Sequence, residues 1–323
     1  MKYAVTGANG MIGKALVLRL VSDGHDVTAI YRSELPVAFL DEERITLATG
    51  DVRDAEFIKK AIVDVDGVFH VAAFAKPWAR DESIYVDINV EGTKNICEAC
   101  IQNGVKRLIY TASAGIHGSQ IGNSLISENA WPASYETAYE KSKYDGMQCA
   151  FEYQTRGLEV NVVSPARVYA PGPVTESNVP ARLMDMYVNK GFALAPTDGL
   201  GIGSYAFIDD VVHGHILAMQ FHGSGEEYLL GGENVNYIDF FAQLSELTGK
   251  KSPVFHVPYQ LSLFIGKANL FMADTFNMKP TITTPWVRRY LKNWGVSSKK
   301  IELLGYKPRS LREGMKLVLE SWN

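Results

Sequence analysis

Short apolar runs alternate with segments of helical period in the first half of this chain, and this alternation constrains the fold more than any other feature. Six runs have the pattern of buried strands: Tyr3–Thr6, Val27–Tyr31, Ile45–Ala48, Val68–Val71, Arg107–Thr111 and Val160–Ser164. Helical period covers Met11–Ser22, Ala55–Val63, Ile84–Asn103 and Tyr135–Thr155. Strand–helix–strand repetition produces a parallel sheet covered on both faces. The sequence therefore predicts an α/β fold with a doubly wound, Rossmann-type sheet over residues 1–170.

The pattern loosens after Pro165, in a stretch rich in proline and glycine. Later segments predict helices at Arg182–Lys190, Asp209–Phe221, Tyr237–Leu247, Gln260–Phe271 and Leu311–Ser321, and strands near Tyr228–Leu230 and Val254–Val257. We expect residues 171–203 and 223–323 to form a smaller mixed α/β C-terminal lobe that binds the substrate. Residues 204–222 are expected to return to the nucleotide-binding domain.

A glycine-rich turn joins the first strand to the first helix. The run is Gly7-Ala8-Asn9-Gly10-Met11-Ile12-Gly13. Glycine lets the backbone approach a ligand closely, and backbone N–H groups at a helix N-terminus attract phosphate. At this position in a βαβ unit, the turn predicts a site for the pyrophosphate of a dinucleotide.

The end of the second strand discriminates between the two nicotinamide cofactors. A carboxylate there would bond the ribose hydroxyls of NAD, whereas an arginine accommodates the 2′-phosphate of NADP. The strand ends in Ile30-Tyr31-Arg32-Ser33, without a carboxylate. Arg32 can offer two parallel donors to a phosphate. The sequence favours NADP over NAD.

Tyr139 and Lys143 are four residues apart and share one face of a predicted helix. A phenol is a weak acid–base catalyst near neutral pH, and a nearby lysine cation lowers its pKa. Ser113 follows the strand Arg107–Thr111, at the edge of the sheet where ligands bind in such folds. Its hydroxyl can hydrogen-bond a carbonyl oxygen on which charge develops. These three residues are the candidate catalytic group.

These segments together resemble the extended short-chain dehydrogenases/reductases, the NAD-dependent epimerase/dehydratase family. The further matching motifs are Gly50-Asp51-Val52, His70-Val71-Ala72-Ala73, Asn89-Val90-Glu91-Gly92-Thr93, Ser113-Ala114-Gly115, Pro165-Ala166-Arg167-Val168-Tyr169 and Phe207-Ile208-Asp209-Asp210. The resemblance implies that Asp51 and Val52 flank the adenine, and that Val71, Ala72 and Ala73 line the cofactor path. It also implies that Pro165, Ala166 and Val168 face the nicotinamide, and that Asn89 supports Lys143 through a bound water.

Within the family the chain is most similar to the dihydroflavonol-reductase-like branch. Sugar-nucleotide dehydratases carry an acidic pair after the catalytic hydroxyl residue, where this chain has Ala114 and Gly115. Nucleotide-sugar epimerases commonly hold the diphosphate with an arginine where this chain reads Gly201-Ile202-Gly203-Ser204, and they often have a tyrosine in place of His117. An NADP(H)-dependent carbonyl reductase is the favoured function.

Three alternatives stay open at this point. A nucleotide-sugar epimerase, or a hydroxysteroid-dehydrogenase-like isomerase or dehydrogenase, would use a bound NAD(P). A non-catalytic NADP sensor would have no need of the Ser113, Tyr139 and Lys143 set.

The remaining features bear on partners and location. A net charge of −4 gives no basic face for a nucleic acid, and no apolar stretch is long enough to span a bilayer. His213 and His215 point to different helix faces, so no metal is expected. We expect a cytoplasmic protein with reduced cysteines and a small-molecule carbonyl or alcohol substrate. The resemblance implies a homodimer through Ile84–Asn103 and Tyr135–Thr155, and the sequence leaves a monomer open. The basic and aromatic stretch from Trp286 to Trp294 is interpreted as a solvated helix face with aromatic packing residues.

Overall fold

The computed structural model describes residues 1–33, 37–40, 42–276 and 278–322. The strands are β1 Lys2–Thr6, β2 Asp26–Tyr31, β3 Ile45–Thr49, β4 Gly67–His70, β5 Arg107–Thr111, β6 Glu159–Pro165, β7 Arg167–Tyr169, β8 Ala193–Pro196, β9 Ile202–Phe207, β10 Glu227–Leu230, β11 Glu233–Asn236 and β12 Val254–Val257. The α-helices are α1 Met11–Ser22, α2 Ala55–Ala61, α3 Ser83–Val86, α4 Gly92–Gln102, α5 Ala138–Glu152, α6 Val179–Val188, α7 Ile208–Gln220, α8 Tyr237–Thr248, α9 Tyr259–Phe276, α10 Thr284–Tyr290, α11 Lys299–Glu302 and α12 Leu311–Glu320.

Seven of these strands form one parallel sheet in the order β10-β6-β5-β4-β1-β2-β3. The order reverses between β1 and β4, which is the arrangement of a doubly wound sheet. The predicted α/β fold is confirmed. Two details of the predicted bounds differ. The sequence assigns residues 223–323 to the substrate lobe, whereas β10 pairs in parallel with β6. It assigns residues 1–170 to the nucleotide-binding domain, whereas β7 pairs with β9 outside the seven-stranded sheet. All four residues of β10 are buried, so this short strand belongs to the core of the sheet.

The two faces of the sheet carry separate cores. On one face, Val211 and Val212 of α7 pack in the same cluster as Leu16 and Val17 of α1. On the other face, helices α2, α4 and α5 contribute a cluster that includes Cys97 and Cys100. Burial raises the pKa of both thiols, so they stay protonated and unreactive. Both cysteines therefore serve as packing residues of α4.

The sequence predicts one helix over Ile84–Asn103, and the structure interrupts it. Helix α3 continues into a π-helical turn at Asp87–Glu91, from which α4 proceeds. The turn carries the buried Asn89. A π turn of this kind is rare and frequently occurs at functional sites. This stretch is therefore a candidate part of the site.

The C-terminal lobe contains a three-stranded sheet, β11-β9-β7, and a two-stranded sheet, β12-β8. Strands β7, β8, β9 and β11 and helices α10 and α11 are not predicted from the sequence, because they are short and pack mainly on distant segments. Helix α9 buries Gly266 and Ala273 and exposes Phe264, Phe271 and Phe276. Over the described ranges, no helix has the length and hydropathy that crossing a bilayer requires. The same residues contain no group of three or more histidine, cysteine or acidic side chains that could hold a metal ion.

Candidate active site

The glycine turn packs directly on the chain that follows β4. Gly7 has φ of 68°, and a Cβ atom on it would lie 2.8 Å from the backbone of Ala72. A Cβ on Gly13 would lie 2.2 Å from the Gly7 carbonyl oxygen. Both contacts exclude any side chain, which explains why glycine occupies these positions. The structure thus brings Gly7, Gly13 and Ala72 together at the carboxyl edge of the sheet.

Helix α1 begins immediately after this turn, with Gly10 as its N-cap and no side-chain cap. The first N–H groups of the helix face the turn, and no capping side chain accepts a hydrogen bond from them. Met11 and Ile12 are half-buried in the first helical turn, and Asn9 is exposed in front of it. An uncapped helix N-terminus in a glycine turn fits the pyrophosphate of a dinucleotide. Val71 and Ala73 continue the same edge beside Ala72 and are half-buried.

A buried hydrogen-bonded chain supports this edge from below. The Ala72 N–H donates to Thr6 Oγ1 over 3.1 Å, and Thr6 Oγ1 lies 2.7 Å from His70 Nδ1. His70 Nε2 lies 3.0 Å from Thr93 Oγ1, which donates to the carbonyl of Asn89 over 2.8 Å. Burial, with the charge of Lys143, lowers the pKa of His70 to about 3. His70 is therefore a neutral linker between β1, β4 and the π turn.

Sequence reasoning did not find the role of Thr6, His70 and Thr93. The available signal was the position of polar side chains at the ends of two otherwise apolar strands, and a threonine four residues after Asn89. All three side chains are buried.

Asn89 connects the π turn to the helix that carries the candidate catalytic residues. Its side-chain amide donates to the Phe74 carbonyl and accepts from the Phe74 N–H, at 3.2 and 2.7 Å. It also donates to Ser142 Oγ over 2.9 Å, and Ser142 donates to the carbonyl of Tyr139 over 2.9 Å. Asn89 therefore reaches Tyr139 through Ser142. The water-mediated support of Lys143 stays a prediction.

Ser113, Tyr139 and Lys143 meet where β5 ends against α5. Thr137 caps α5 by accepting from the Glu140 N–H, and this places Tyr139 in the first turn. Burial raises the pKa of Tyr139, while a hydrogen bond with Ser113 and the charge of Arg289 lower it. The Ser113 hydroxyl also accepts from the Gly115 N–H. The three predicted residues are thus brought together.

Lys143 follows Tyr139 by one helical turn in α5 and is buried, with only 1% of its surface exposed. Its ammonium group lies 4.2 Å from the centre of the Tyr110 ring. Burial lowers its pKa to about 7. Close to neutral pH this group can therefore exchange its proton, and in its charged form it favours the phenolate of a nearby tyrosine.

Arg289 is a residue of this site that the sequence did not place there. Its Nε donates to Glu140 Oε1 over 2.7 Å, and its guanidinium lies 4.4 Å from the ring of Trp294. A Cβ atom on Gly115 would lie 2.9 Å from Arg289 Nη2. The interpretation of the stretch from Trp286 to Trp294 as a solvated helix face is therefore wrong at Arg289, because a buried carboxylate in α5 draws this cation inward.

His117 does not face the reaction centre as a free acid. Its Nδ1 lies 2.8 Å from the carbonyl oxygen of Ala130, and its Nε2 lies 2.8 Å from Glu227 Oε1. Glu227 also accepts from the Ser164 hydroxyl over 2.5 Å. Both ring nitrogens are engaged, so His117 ties β5 to β6 and β10.

The adenosine end of the site lies at β2 and after β3. Tyr31 is buried and Arg32 is the first exposed residue beyond the strand. Asp51 accepts from Arg53 Nε at 3.0 Å and from Arg53 Nη2 at 2.8 Å, and these hydrogen bonds lower its pKa, with a smaller contribution from the charge of Arg32. Arg53 therefore joins Arg32 as a cation at this end. Val52 is buried against Gly92.

The predicted nicotinamide end follows β6. Pro165 is the last residue of this strand, and the Ala166 N–H donates to the Leu230 carbonyl over 3.0 Å. Val168 lies in β7 and is buried. The chain passes here from the central sheet to the three-stranded sheet of the lobe, so these residues lie between the two.

Comparison with known proteins agrees with this arrangement. Residues 3–231 match the model of the NAD-dependent epimerase/dehydratase family. The chain is 33% identical to sterol demethylase protein B of Methylococcus capsulatus over 266 residues, which cover 81% of this chain and 79% of that protein. It is 26% identical to a putative dihydroflavonol 4-reductase of Synechocystis over 97% of this chain and 92% of that protein.

A further relative is the decarboxylating sterol-4-alpha-carboxylate 3-dehydrogenase of Mus musculus, 26% identical over 100% of this chain and 91% of that protein. Among solved structures, the UDP-glucose 4-epimerase of Thermotoga maritima superposes with a TM-score of 0.81 at 25% identity, covering 100% of this chain and 98% of that one. This chain is therefore a member of the NAD-dependent epimerase/dehydratase family, an extended short-chain dehydrogenase/reductase.

Proposed function

We propose that this protein is an NADP(H)-dependent reductase that converts a ketone or an aldehyde into an alcohol. The observation that carries the proposal is that Ser113, at the end of β5, meets Tyr139 in the first turn of α5, with Lys143 buried one helical turn further along the helix. A hydroxyl, a phenol and an ammonium group in this order can hold a carbonyl oxygen and deliver a proton to it.

Each residue of the proposed site has a separate role in the reaction. When bound, the cofactor supplies the hydride. Ser113 holds the carbonyl oxygen of the substrate beside Tyr139, and the Tyr139 hydroxyl gives its proton to that oxygen. Lys143 lowers the pKa of the phenol while it is charged. Asn89 and Ser142 position the first turn of α5 by fixing the Tyr139 carbonyl.

The surroundings of Ser113 favour reduction over dehydration. Dehydration needs a proton carrier beside the catalytic hydroxyl, and the two following residues are Ala114 and Gly115. The space that a side chain at position 115 would need is filled by Arg289 and Glu140. The Glu140 carboxylate is paired with Arg289 at 2.7 Å, so it is not a free base.

The preference for NADP rests on the adenosine end. Arg32 is exposed at the end of β2, where NAD-binding relatives would need a carboxylate, and Arg53 lies beside it on Asp51. Both carboxylate oxygens of Asp51 accept hydrogen bonds from Arg53, which leaves Asp51 with less capacity to accept from ribose hydroxyls. Two cations and an engaged carboxylate suit a 2′-phosphate.

The names of the relatives support an alcohol–carbonyl interconversion, since they include a reductase and a dehydrogenase. A nucleotide-sugar epimerase is the second candidate, favoured by the likeness to the Thermotoga maritima enzyme. We also propose that the protein is cytoplasmic and that it forms a homodimer through α4 and α5. Light scattering would test the homodimer.

The deciding experiment is a cofactor titration of the purified protein. We expect it to purify without bound dinucleotide, to bind NADPH more tightly than NADH, and to consume NADPH when a panel of ketones and aldehydes is added. Recovery of one NAD per chain after denaturation, with no net consumption of cofactor during turnover, would favour the epimerase instead.

A further inference from the structure

Arg167 is the first residue of β7 and follows the predicted nicotinamide-facing residues directly. Its guanidinium lies flat against Gly203 of the neighbouring strand β9, where a Cβ atom would lie 2.5 Å from Nη1 and 2.8 Å from Cζ. Glycine at position 203 makes the room for this arginine. The lobe is therefore shaped around a cation placed at the junction with the nucleotide domain.

One edge of this guanidinium has no partner. Nη1 donates to the hydroxyls of Tyr237 and Tyr205, at 3.2 and 3.4 Å. Nε and Nη2 are buried and make no hydrogen bond. These two donors form one side of the planar group, the side that pairs with both oxygens of a carboxylate.

No described residue forms an ion pair with Arg167. The comparable arginines are neutralised, since Arg289 pairs with Glu140 at 2.7 Å and Arg309 pairs with Asp210 at 3.0 Å. A guanidinium cannot lose its proton in a protein, so burial leaves Arg167 with a full positive charge. An uncompensated buried charge is strongly unfavourable. The rings of Tyr205 and Tyr237, whose centres lie 5.6 and 5.7 Å from its Cζ, offset part of this cost. An anion from outside the described residues would offset the rest.

Arg167 is close to the reaction centre. Burial raises the pKa of the Tyr290 phenol, while the charges of Arg289, Arg167 and Arg182 oppose that rise. Arg289 acts in the same sense on Tyr139. Gly203, against which Arg167 packs, pairs with Trp294. The Trp294 ring lies 4.4 Å from the guanidinium of Arg289, which pairs with Glu140, the residue that follows Tyr139 in α5.

We propose that Arg167 binds a carboxylate of the substrate, so that the substrate is an oxo acid and the product a hydroxy acid. This deepens the proposed reductase function and rests on it for the identity of the reacting group. One uncompensated positive charge with two free donors on one edge matches a carboxylate, which carries one negative charge and two oxygens. Arg167 as a whole is half-buried, so part of its side chain reaches the surface beside the two buried donors.

The test uses matched acids and esters in complexes that cannot react. The protein is saturated with NADPH, and calorimetry measures the dissociation constants of 3-hydroxybutyrate, 3-hydroxydecanoate and mandelate and of their methyl esters. Parent, Arg167→Met and Arg167→Lys are compared with Arg312→Met, which removes an exposed arginine paired with Glu246. We expect at least one acid to bind the parent about 10- to 100-fold more tightly than its ester, the range of a charge-assisted hydrogen bond.

Arg167→Met should abolish that preference and leave ester binding unchanged, Arg167→Lys should retain part of it, and Arg312→Met should retain all of it. The proposal is overturned if no acid binds the parent more tightly than its ester, including the case in which none binds. It is also overturned if Arg167→Met preserves the preference.

The melting temperature provides a second, ligand-free measurement. Removal of an uncompensated buried charge by a methionine of similar length should leave the melting temperature unchanged or raise it. A merely structural arginine would instead leave the variant less stable, and a fall of the melting temperature together with no acid preference would contradict the proposal. These binding measurements do not depend on turnover. Failure of the reductase function would appear as no NADPH consumption with any carbonyl, and it can therefore be distinguished from failure of the carboxylate site.

Discussion

The nucleotide half and the C-terminal lobe differ in how completely they satisfy their buried polar groups. In the nucleotide half, Thr6, His70, Thr93 and Asn89 form an unbroken hydrogen-bonded chain. Buried side-chain atoms without a partner, as far as the described residues go, belong to Arg167, Gln243 and Thr284, all at β7 or later. In the half that would hold the cofactor, these buried polar side chains are hydrogen-bonded to one another. In the half that would hold the substrate, some buried polar atoms have no hydrogen-bond partner.

Two buried cations show the same contrast. Lys143 can shed its charge, because burial lowers its pKa to about 7. Arg167 has no such release, since its guanidinium stays protonated. Loss of a proton can relieve the cost of burying Lys143, whereas for Arg167 we propose that a bound carboxylate does so.

The largest effect is expected from Tyr139→Phe, which keeps the ring and removes the proposed acid. The rate of NADPH-dependent carbonyl reduction should fall by ~10²–10⁴-fold, the usual loss when general acid catalysis is removed. NADPH affinity should change little in Tyr139→Phe. Lys143→Met should lower both the rate and the affinity for NADPH. Tyr135→Phe, a change to a tyrosine outside the catalytic group, is the control. Steady-state rates close to the parent in Tyr139→Phe would show that another group delivers the proton.

The next effect concerns the adenosine end of the nucleotide half. Arg32→Ala should weaken NADPH binding by about 1.5–3 kcal/mol, the range for hydrogen bonds to charged groups, and leave NADH binding nearly unchanged. Fluorescence titration with both cofactors measures the difference. Arg44→Ala, which removes an exposed arginine paired with Asp26, should alter neither affinity. Equal affinities of the parent for both cofactors would refute the assignment to NADP.

The pH dependence of stability tests the difference between the two cations. The folded-state pKa of Lys143, about 7, lies below the ordinary lysine value of 10.5. Between these values the unfolded chain binds more protons, so the stability of the cofactor-free protein should rise with pH, by at most ~1.4 kcal/mol per pH unit. The cost of the buried charge is fully present below pH 7. Denaturant unfolding at pH 7 and pH 8, below the pKa of about 8.5 at which thiols of the unfolded chain ionise, should show this rise in the parent and a smaller one in Lys143→Met.

The control for this slope is Lys141→Met, which removes an exposed lysine paired with Asp145 in the same helix. It should keep the rise seen in the parent. An identical rise in Lys143→Met and the parent would mean that Lys143 does not titrate in this window.

The smallest effect is expected on the outer surface of the lobe. Phe264 in α9 is 69% exposed, so Phe264→Ala should change the free energy of unfolding by no more than about 0.5 kcal/mol. Phe240 in α8 is fully buried, and Phe240→Ala should cost about 3–5 kcal/mol. Urea denaturation of both variants measures the contrast. A large loss in Phe264→Ala would show that α9 contributes to the core in solution.

The sequence by itself determined the central sheet, the family and the chemistry expected of the site. The six strands predicted over residues 1–170 all lie in the parallel sheet, because strand and helix periods are local patterns that each segment carries within itself. Tyr139 and Lys143 share a helix, so their proximity follows from their spacing. The turn from Gly7 to Gly13 is equally local. None of these required knowledge of distant contacts.

The tertiary structure alone decided which distant residues complete the site. Arg289 meets Glu140 across 149 residues of chain, and no local pattern marks that pair. The same holds for β10, four residues long, which joins the central sheet by pairing with β6. Arg167 looks ordinary in the sequence, and its isolation appears only once the fold brings Gly203, Tyr205 and Tyr237 around it. Burial and charge compensation are sums over all neighbours, and only the folded chain specifies those neighbours.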